Sequence, residues 1–124
     1  MTIADVERIN AAAKLFDEAN AVFAELLQTQ EDYLIAVGNF EIAEQELEKE
    51  IDRLPNQGQI QLEGMRAVRQ MIPESLEDLE IRGSNMRIAE RAYLAAQVKA
   101  EHIKIRAMMA KTISDLMIAA SNKV

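Results

Sequence analysis

The sequence predicts an all-α protein: a long antiparallel helical hairpin of coiled-coil type with a kinked return arm, forming a helical bundle on self-association. Three observations carry this reading. Hydrophobic residues make up 49% of the chain and aromatics only 4%, a balance that supplies a core from helix formers and argues against both disorder and a sheet-rich fold. Four glycines and two prolines are too few for a loop-rich fold. The third observation is a sustained heptad. Steps of seven from Ile9 give Ile9, Phe16, Phe23, Gln30, Val37, Glu44 and Ile51, and the positions three further on run from Ala12 to Leu54. Only Gln30 and Glu44 interrupt this apolar seam.

The first element is therefore one helix over residues 3–54, roughly 75 Å long at about 1.5 Å per residue, which predicts an elongated molecule. Thr2 followed by Asp5 resembles a capping box with Asp in place of Glu, and places the first turn at Ile3. Gly38 is the weak point inside this helix, costing up to about 1 kcal/mol relative to Ala. Close approach of a second helix is its expected role. A polar seam residue such as Gln30 can set register. A buried Glu44 needs Arg66 or Arg69 as partner, or an open edge.

Leu54-Pro55-Asn56-Gln57-Gly58 ends the helix, with the reversal at 55–58. A second helix is expected over 59–72, with an apolar face that includes Ile60, Met65, Val68 and Ile72. Pro73 disfavours helical geometry at Ile72 and suits the first turn of a short helix over 73–82, where Glu74, Glu77 and Asp78 meet the positive end of its dipole. Leu76, Leu79 and Ile81 are its anchors. Gly83-Ser84-Asn85 is expected to break the chain again before a final helix over 84–121. The stripe expected on that helix is Leu94, Val98, His102, Ile105, Met109, Ile113, Leu116 and Ala120, with Ile103, Met108, Met117 and Ile118 beside it. The whole chain, 1–124, is expected to be a single domain.

Charge is unevenly placed. Residues 82–124 hold eight Lys or Arg against three acids, and the rest hold six against eighteen. The hairpin explains this without a ligand: it sets residues 17–31 near 82–96, so Glu25, Glu31 and Asp32 meet Arg82, Arg87 and Arg91, while Asp5 and Glu7 meet Lys104, Arg106 and Lys111. Such exposed pairs select register more than they stabilise.

The chemistry-bearing residues are sparse. There is no cysteine, which excludes disulfides, zinc-thiolate sites and thiol nucleophiles. Glu41-Ile42-Ala43-Glu44 supplies the first half of the paired-carboxylate pattern of all-α magnesium nucleotide hydrolases, but no Glu-x-x-Asp comes after it, and Glu74-Ser75-Leu76-Glu77 only approximates it. His102 is the sole histidine, and residue 99 is Lys, so no Glu-x-x-His motif of the di-iron type exists; a core or interface histidine is expected. No serine stands in a nucleophile-elbow context. No catalytic, cofactor or metal site is expected.

The function expected is therefore non-enzymatic: a protein–protein interaction module, acting as a self-associating scaffold, adaptor or small chaperone. Its partners are a second copy, as a homodimer or higher symmetric assembly, and another protein. Met108, Met109, Ile113, Met117 and Ile118 form the expected interface, since methionine favours adaptable binding surfaces. The alternative is an acidic helical inhibitor, of the sort mobile elements encode, that blocks a nucleic-acid-binding enzyme by presenting Asp17, Glu18, Glu25, Glu31, Asp32, Glu41, Glu48 and Asp52 in place of phosphates. Direct nucleic-acid binding is not expected, because the acidic remainder repels a polyanion. The start of the chain has no signal-peptide pattern and no stretch approaches a membrane span, so a cytoplasmic location and no membrane contact are expected.

Overall fold

A computed structural model describes residues 2–122. Four helices run in chain order: α1 (Ile3–Arg53), α2 (Gln57–Glu63), α3 (Met65–Met71) and α4 (Pro73–Asn122). No strand occurs among the described residues. The long helix α1 packs against the long helix α4, so the fold is an all-α helical hairpin.

The helix boundaries reflect local chemistry. The Asp5 carboxylate accepts the Thr2 N–H at 3.0 Å, and the Asp5 N–H donates to Thr2 Oγ1 at 3.1 Å, so the expected capping box starts α1 at Ile3. At the other end, the Leu54 N–H closes a tight last turn onto the Ile51 carbonyl. The side-chain amide of Gln57 then donates to the carbonyls of both Ile51 and Leu54, satisfying orphan acceptors of the helix end. Pro55 lies in the three-residue link 54–56, while Gly58, expected in the turn, falls inside α2.

The helix expected over 59–72 is two helices. Gly64 separates them at φ 60°, ψ −133°, a region open to glycine and costly for any other residue. Its N–H donates to the Ile60 carbonyl and its own carbonyl accepts from Ala67 and Val68, so one residue ends α2 and begins α3. Ile72 leaves the helical region (φ −136°, ψ 62°), as the following proline requires, and Pro73 opens α4.

The second interruption expected, at Gly83–Asn85, is absent: α4 runs through it. The short helix over 73–82 and the final helix over 84–121 are one element. Gly83 is a contact residue, buried against Phe40, whose Cε2 would stand 3.1 Å from a Cβ built at position 83. A Cβ at Gly38 would meet nothing within 4 Å. The close approach expected at Gly38 is therefore made by the glycine of the opposite helix.

The chain divides into two compact units, residues 30–92 and residues 1–29 with 93–124. In the first, Leu47, Val68 and Leu76 form a buried cluster, with Ile51, Ile60, Ile72 and Leu79 packed on it. All four helices contribute, and α2 and α3 act as a cap between the two long helices. Leu76 and Leu79 are anchors as expected, but Ile81 is exposed. Along the same unit the α1 face turned inward carries Tyr33, Ala36, Val37, Phe40 and Ala43. Arg82 donates to the Asn39 carbonyl at 3.2 Å and pairs with Asp78 one turn back. Arg69 pairs with Glu80 at 2.6 Å.

In the second unit, Leu15, Ala19, Val22, Leu26 and Thr29 of α1 are at least half-covered, and Tyr93, Ala96, Ala100 and Ile103 of α4 are their counterparts. Lys99 reaches Glu25 at 3.2 Å and Arg106 reaches Glu18 at 2.9 Å. These pairs correct the expected register: Glu25 lies against Lys99, not against Arg82–Arg91, and Arg106 is held by Glu18, not by Asp5 or Glu7. The physical reason is the cap. Residues 57–71 fold upon themselves at Gly64 instead of running back along α1, so α4 begins beside the end of α1 and every later residue shifts with it.

The inward face of α1 also differs from the predicted seam by one residue on one side. Ala19, Leu26, Tyr33, Phe40, Leu47 and Leu54 keep their place, but Leu15, Val22, Thr29 and Ala43 replace Phe16, Phe23, Gln30 and Glu44, all of which are exposed, and Ala36 joins Val37. Burying a carboxylate and an amide without partners costs several kcal/mol. Rotation by one residue returns both polar groups to water and sets alanines in the interface. Glu44 accordingly lies at an open edge and needs neither Arg66 nor Arg69.

Candidate interaction surface

The residues left outside the hairpin are the notable chemistry of this molecule. On α4, the expected stripe is not buried. Leu94, Val98, Ile105, Met109, Ile113 and Leu116 are all exposed, Val98 at 71%, and His102 and Ala120 are exposed with them. Small side chains take the hairpin face instead. Ala96 and Ala100 are buried, and Ile103, expected only beside the stripe, is 2% exposed. Alanines at a helix crossing let the backbones approach, at the short end of the usual 8–10 Å. The larger side chains are turned away. Ranking positions by side-chain size selects the wrong face here; the Ala96, Ala100, Ile103 spacing of four and three is the signal that finds the right one.

Beyond Ile103 every described residue of α4 is exposed. The expected interface residues Met108, Met109, Ile113, Met117 and Ile118 all fall in this segment, at exposures from 37% for Met117 to 61% for Met108. Ile105, Met108, Met109, Thr112 and Ile113 line a shallow, nearly all-apolar depression on the helix surface. A second groove, in the same unit, runs between the long helices. It is lined by Phe23, Leu26, Leu94 and Val98, with Glu101 and Lys104 at its rim. Phe16 adds a further exposed ring on α1.

The acidic residues singled out from the sequence are spread over three heptad positions of α1. Asp17, Glu31 and Asp52 share one heptad position of α1, Glu18, Glu25 and Asp32 a second, and Glu41 and Glu48 a third. All eight are exposed, but Glu18 and Glu25 carry the ion pairs to Arg106 and Lys99. At the capped end, Glu46, Glu50, Glu74 and Asp78 line a small groove with Ala43, Leu47 and Ser75. Among the described residues, no three His, Asp or Glu side chains converge to hold a metal ion.

The Thr2 backbone N–H, and after it the Thr2 hydroxyl, hold Asp5 below the ordinary carboxylate value. This belongs to the helix cap and not to a reactive centre. Among the described residues no helix is long and apolar enough to cross a membrane. No protein-family model, curated protein or solved structure matches the chain.

Proposed function

We propose that the protein is a non-enzymatic, cytoplasmic interaction module whose working surface is the apolar face its own hairpin leaves uncovered, and that it self-associates through that face. The observation that carries the reading is the segment after Ile103, where Ile105, Met108, Met109, Ile113, Leu116 and Ile118 are each about half exposed or more. Each such side chain forgoes on the order of 1 kcal/mol of burial at about 25 cal/mol per Å². Together they exceed the scattered surface hydrophobes of an ordinary monomer. A second copy is the partner always at hand, and a two-fold contact covers the same patch on both chains.

The scaffold, adaptor and chaperone roles all begin with this surface and differ in the fate of the bound partner. The test is sedimentation velocity over about 1–100 µM. The expected result is a species of twice the 13.9 kDa chain mass or a higher multiple, stable to added salt. A species that stays at 13.9 kDa throughout would overturn self-association and direct the face toward a different protein.

A further inference from the structure

The outward face of α4 has a stricter order than its exposure alone requires. Ala95, Val98, His102, Ile105, Met109 and Thr112 step by three and four residues alternately, and Leu116 and Ala119 continue the series without a fault. All are exposed. In heptad terms these are a and d positions, and Tyr93 and Ala100, buried against α1 or half-covered by it, are the f positions directly opposite. The helix thus carries two seams back to back. The inner one is used by the hairpin; the outer one has the period of a helix-to-helix contact and nothing on it.

We infer that this outer seam pairs with the same seam of a second copy, antiparallel, about a two-fold axis passing between His102 and Ile105. The inference rests on the self-association proposed above and specifies its face and orientation. Three features select the occupant. The first is area. Seven large apolar side chains lie on the seam or at its flanks, where Leu94, Met108 and Ile113 stand. At roughly 60–120 Å² each they offer about 400–800 Å² per chain, reaching the roughly 800 Å² per partner of a stable interface. The second is shape. With residues pairing so that their numbers total 207, Ala95 meets the second copy's Thr112, Val98 its Met109 and His102 its Ile105. Each layer then matches a smaller with a larger side chain, whereas a parallel pairing would stack Ala95 on Ala95 and His102 on His102, alternating void with crowding. The third is charge. Antiparallel register brings Lys99 toward the second copy's Arg106 across one flank, and both charges are already neutralised by Glu25 and Glu18 of their own chain. Val98 and the flanking Leu94 line a groove with Phe23 and Leu26 of α1, and every seam residue is exposed to the approach of a second copy.

The chain contains no cysteine, which makes disulfide trapping a clean test. The double variant Ala95→Cys with Thr112→Cys is expected to oxidise to a covalent dimer in high yield at 10 µM, and Ala95→Cys alone to remain uncrosslinked. A covalent dimer from Ala95→Cys alone would overturn the antiparallel orientation. Ile105→Asp, at an exposed position that leaves the hairpin core untouched, is expected to raise the dimer dissociation constant at least 100-fold with unchanged helical circular dichroism. His102→Leu should lower it about tenfold, since it replaces a polar seam residue by an apolar one. If Ile105→Asp stays fully dimeric while Phe23→Asp dissociates, self-association stands and this seam is wrong. If the unmodified protein is monomeric at 100 µM, both readings fail together.

Discussion

Gly83 of α4 lies against the ring of Phe40 of α1, so close that a Cβ at position 83 would stand 3.1 Å from Cε2 and 3.5 Å from Cδ2. Gly38, also on α1, has open space around it. The two glycines should therefore respond oppositely to substitution. Gly38→Ala is expected to stabilise the fold by about 0.5–1 kcal/mol, the gain in helix propensity with nothing to displace. Gly83→Ala gives that gain back by pushing the ring, and Gly83→Val should cost about 1–3 kcal/mol as overpacking. Urea titration followed by circular dichroism reads both.

Gly64 is the one described residue that uses positive φ. Gly64→Ala is expected to destabilise by about 1–3 kcal/mol, although a Cβ there would touch nothing within 4 Å. The loss is purely conformational. Gly58→Ala is the control: it lies inside α2 with equally open space and an ordinary φ, and should be neutral or slightly stabilising. Equal responses at the two positions, in the same denaturant titration, would show that the α2–α3 joint is built differently.

Leu76→Ala should cost about 2–5 kcal/mol, because Leu76 is 2% exposed and shares its cluster with Leu47 and Val68. Ile81→Ala, two residues beyond Leu79 and 52% exposed, should stay within about 0.5 kcal/mol. Thermal melts of the two variants separate the cap from the solvent face.

The Thr2–Asp5 cap has a definite pH signature. Its partner groups hold the Asp5 carboxyl below the ordinary carboxylate value, so the folded-state value is depressed relative to the unfolded one. The contribution to helix stability is then complete above the unfolded value and is lost as pH falls through the folded value. Amide exchange in the first turn of α1 is expected to accelerate, after correction for intrinsic rates, as pH is lowered from about 4 to about 2. Thr2→Ala, which removes the hydroxyl and keeps the backbone N–H, should reduce that step, Asp5→Ala should abolish it, and both should leave the cluster at the capped end unaffected.

Much of this fold is legible in the sequence because its signals are local. The Thr2–Asp5 box, the stop after Leu54 and the Ile72–Pro73 break each depend on a few adjacent residues. What escapes is the choice among faces. α1 carries two overlapping heptads that share Ala19, Leu26, Tyr33, Phe40, Leu47 and Leu54, and rank differently by size and by polarity. Phe16 and Phe23 favour one, but Gln30 and Glu44 veto it. Helix α4 repeats the problem: the large residues Leu94, Val98 and Ile105 outweigh Ala96 and Ala100 in any hydropathy sum, yet alanines allow the closer crossing. Gly83 is likewise ambiguous, since a glycine beside Ser and Asn has the composition of a break and the size of a contact. The candidate surface residues Met108, Met109 and Ile113 are legible as an apolar surface, whereas the exposure of Leu94, Val98 and Ile105 emerges only once the hairpin's register is known.

That register has a temporal side. Synthesis completes α1 at Arg53, but Leu47 acquires its buried partner Leu76 only when α4 has begun. At about 5–20 residues per second the gap is on the order of 1–5 s, during which a finished helix stands without its mate. Closure then starts where the chain has least to search, within residues 47–76, and the costlier separations come later: Lys99 meets Glu25 across 74 residues and Arg106 meets Glu18 across 88. Each of these loops is already shortened by the contacts before it, so the entropy of closing is met in small steps.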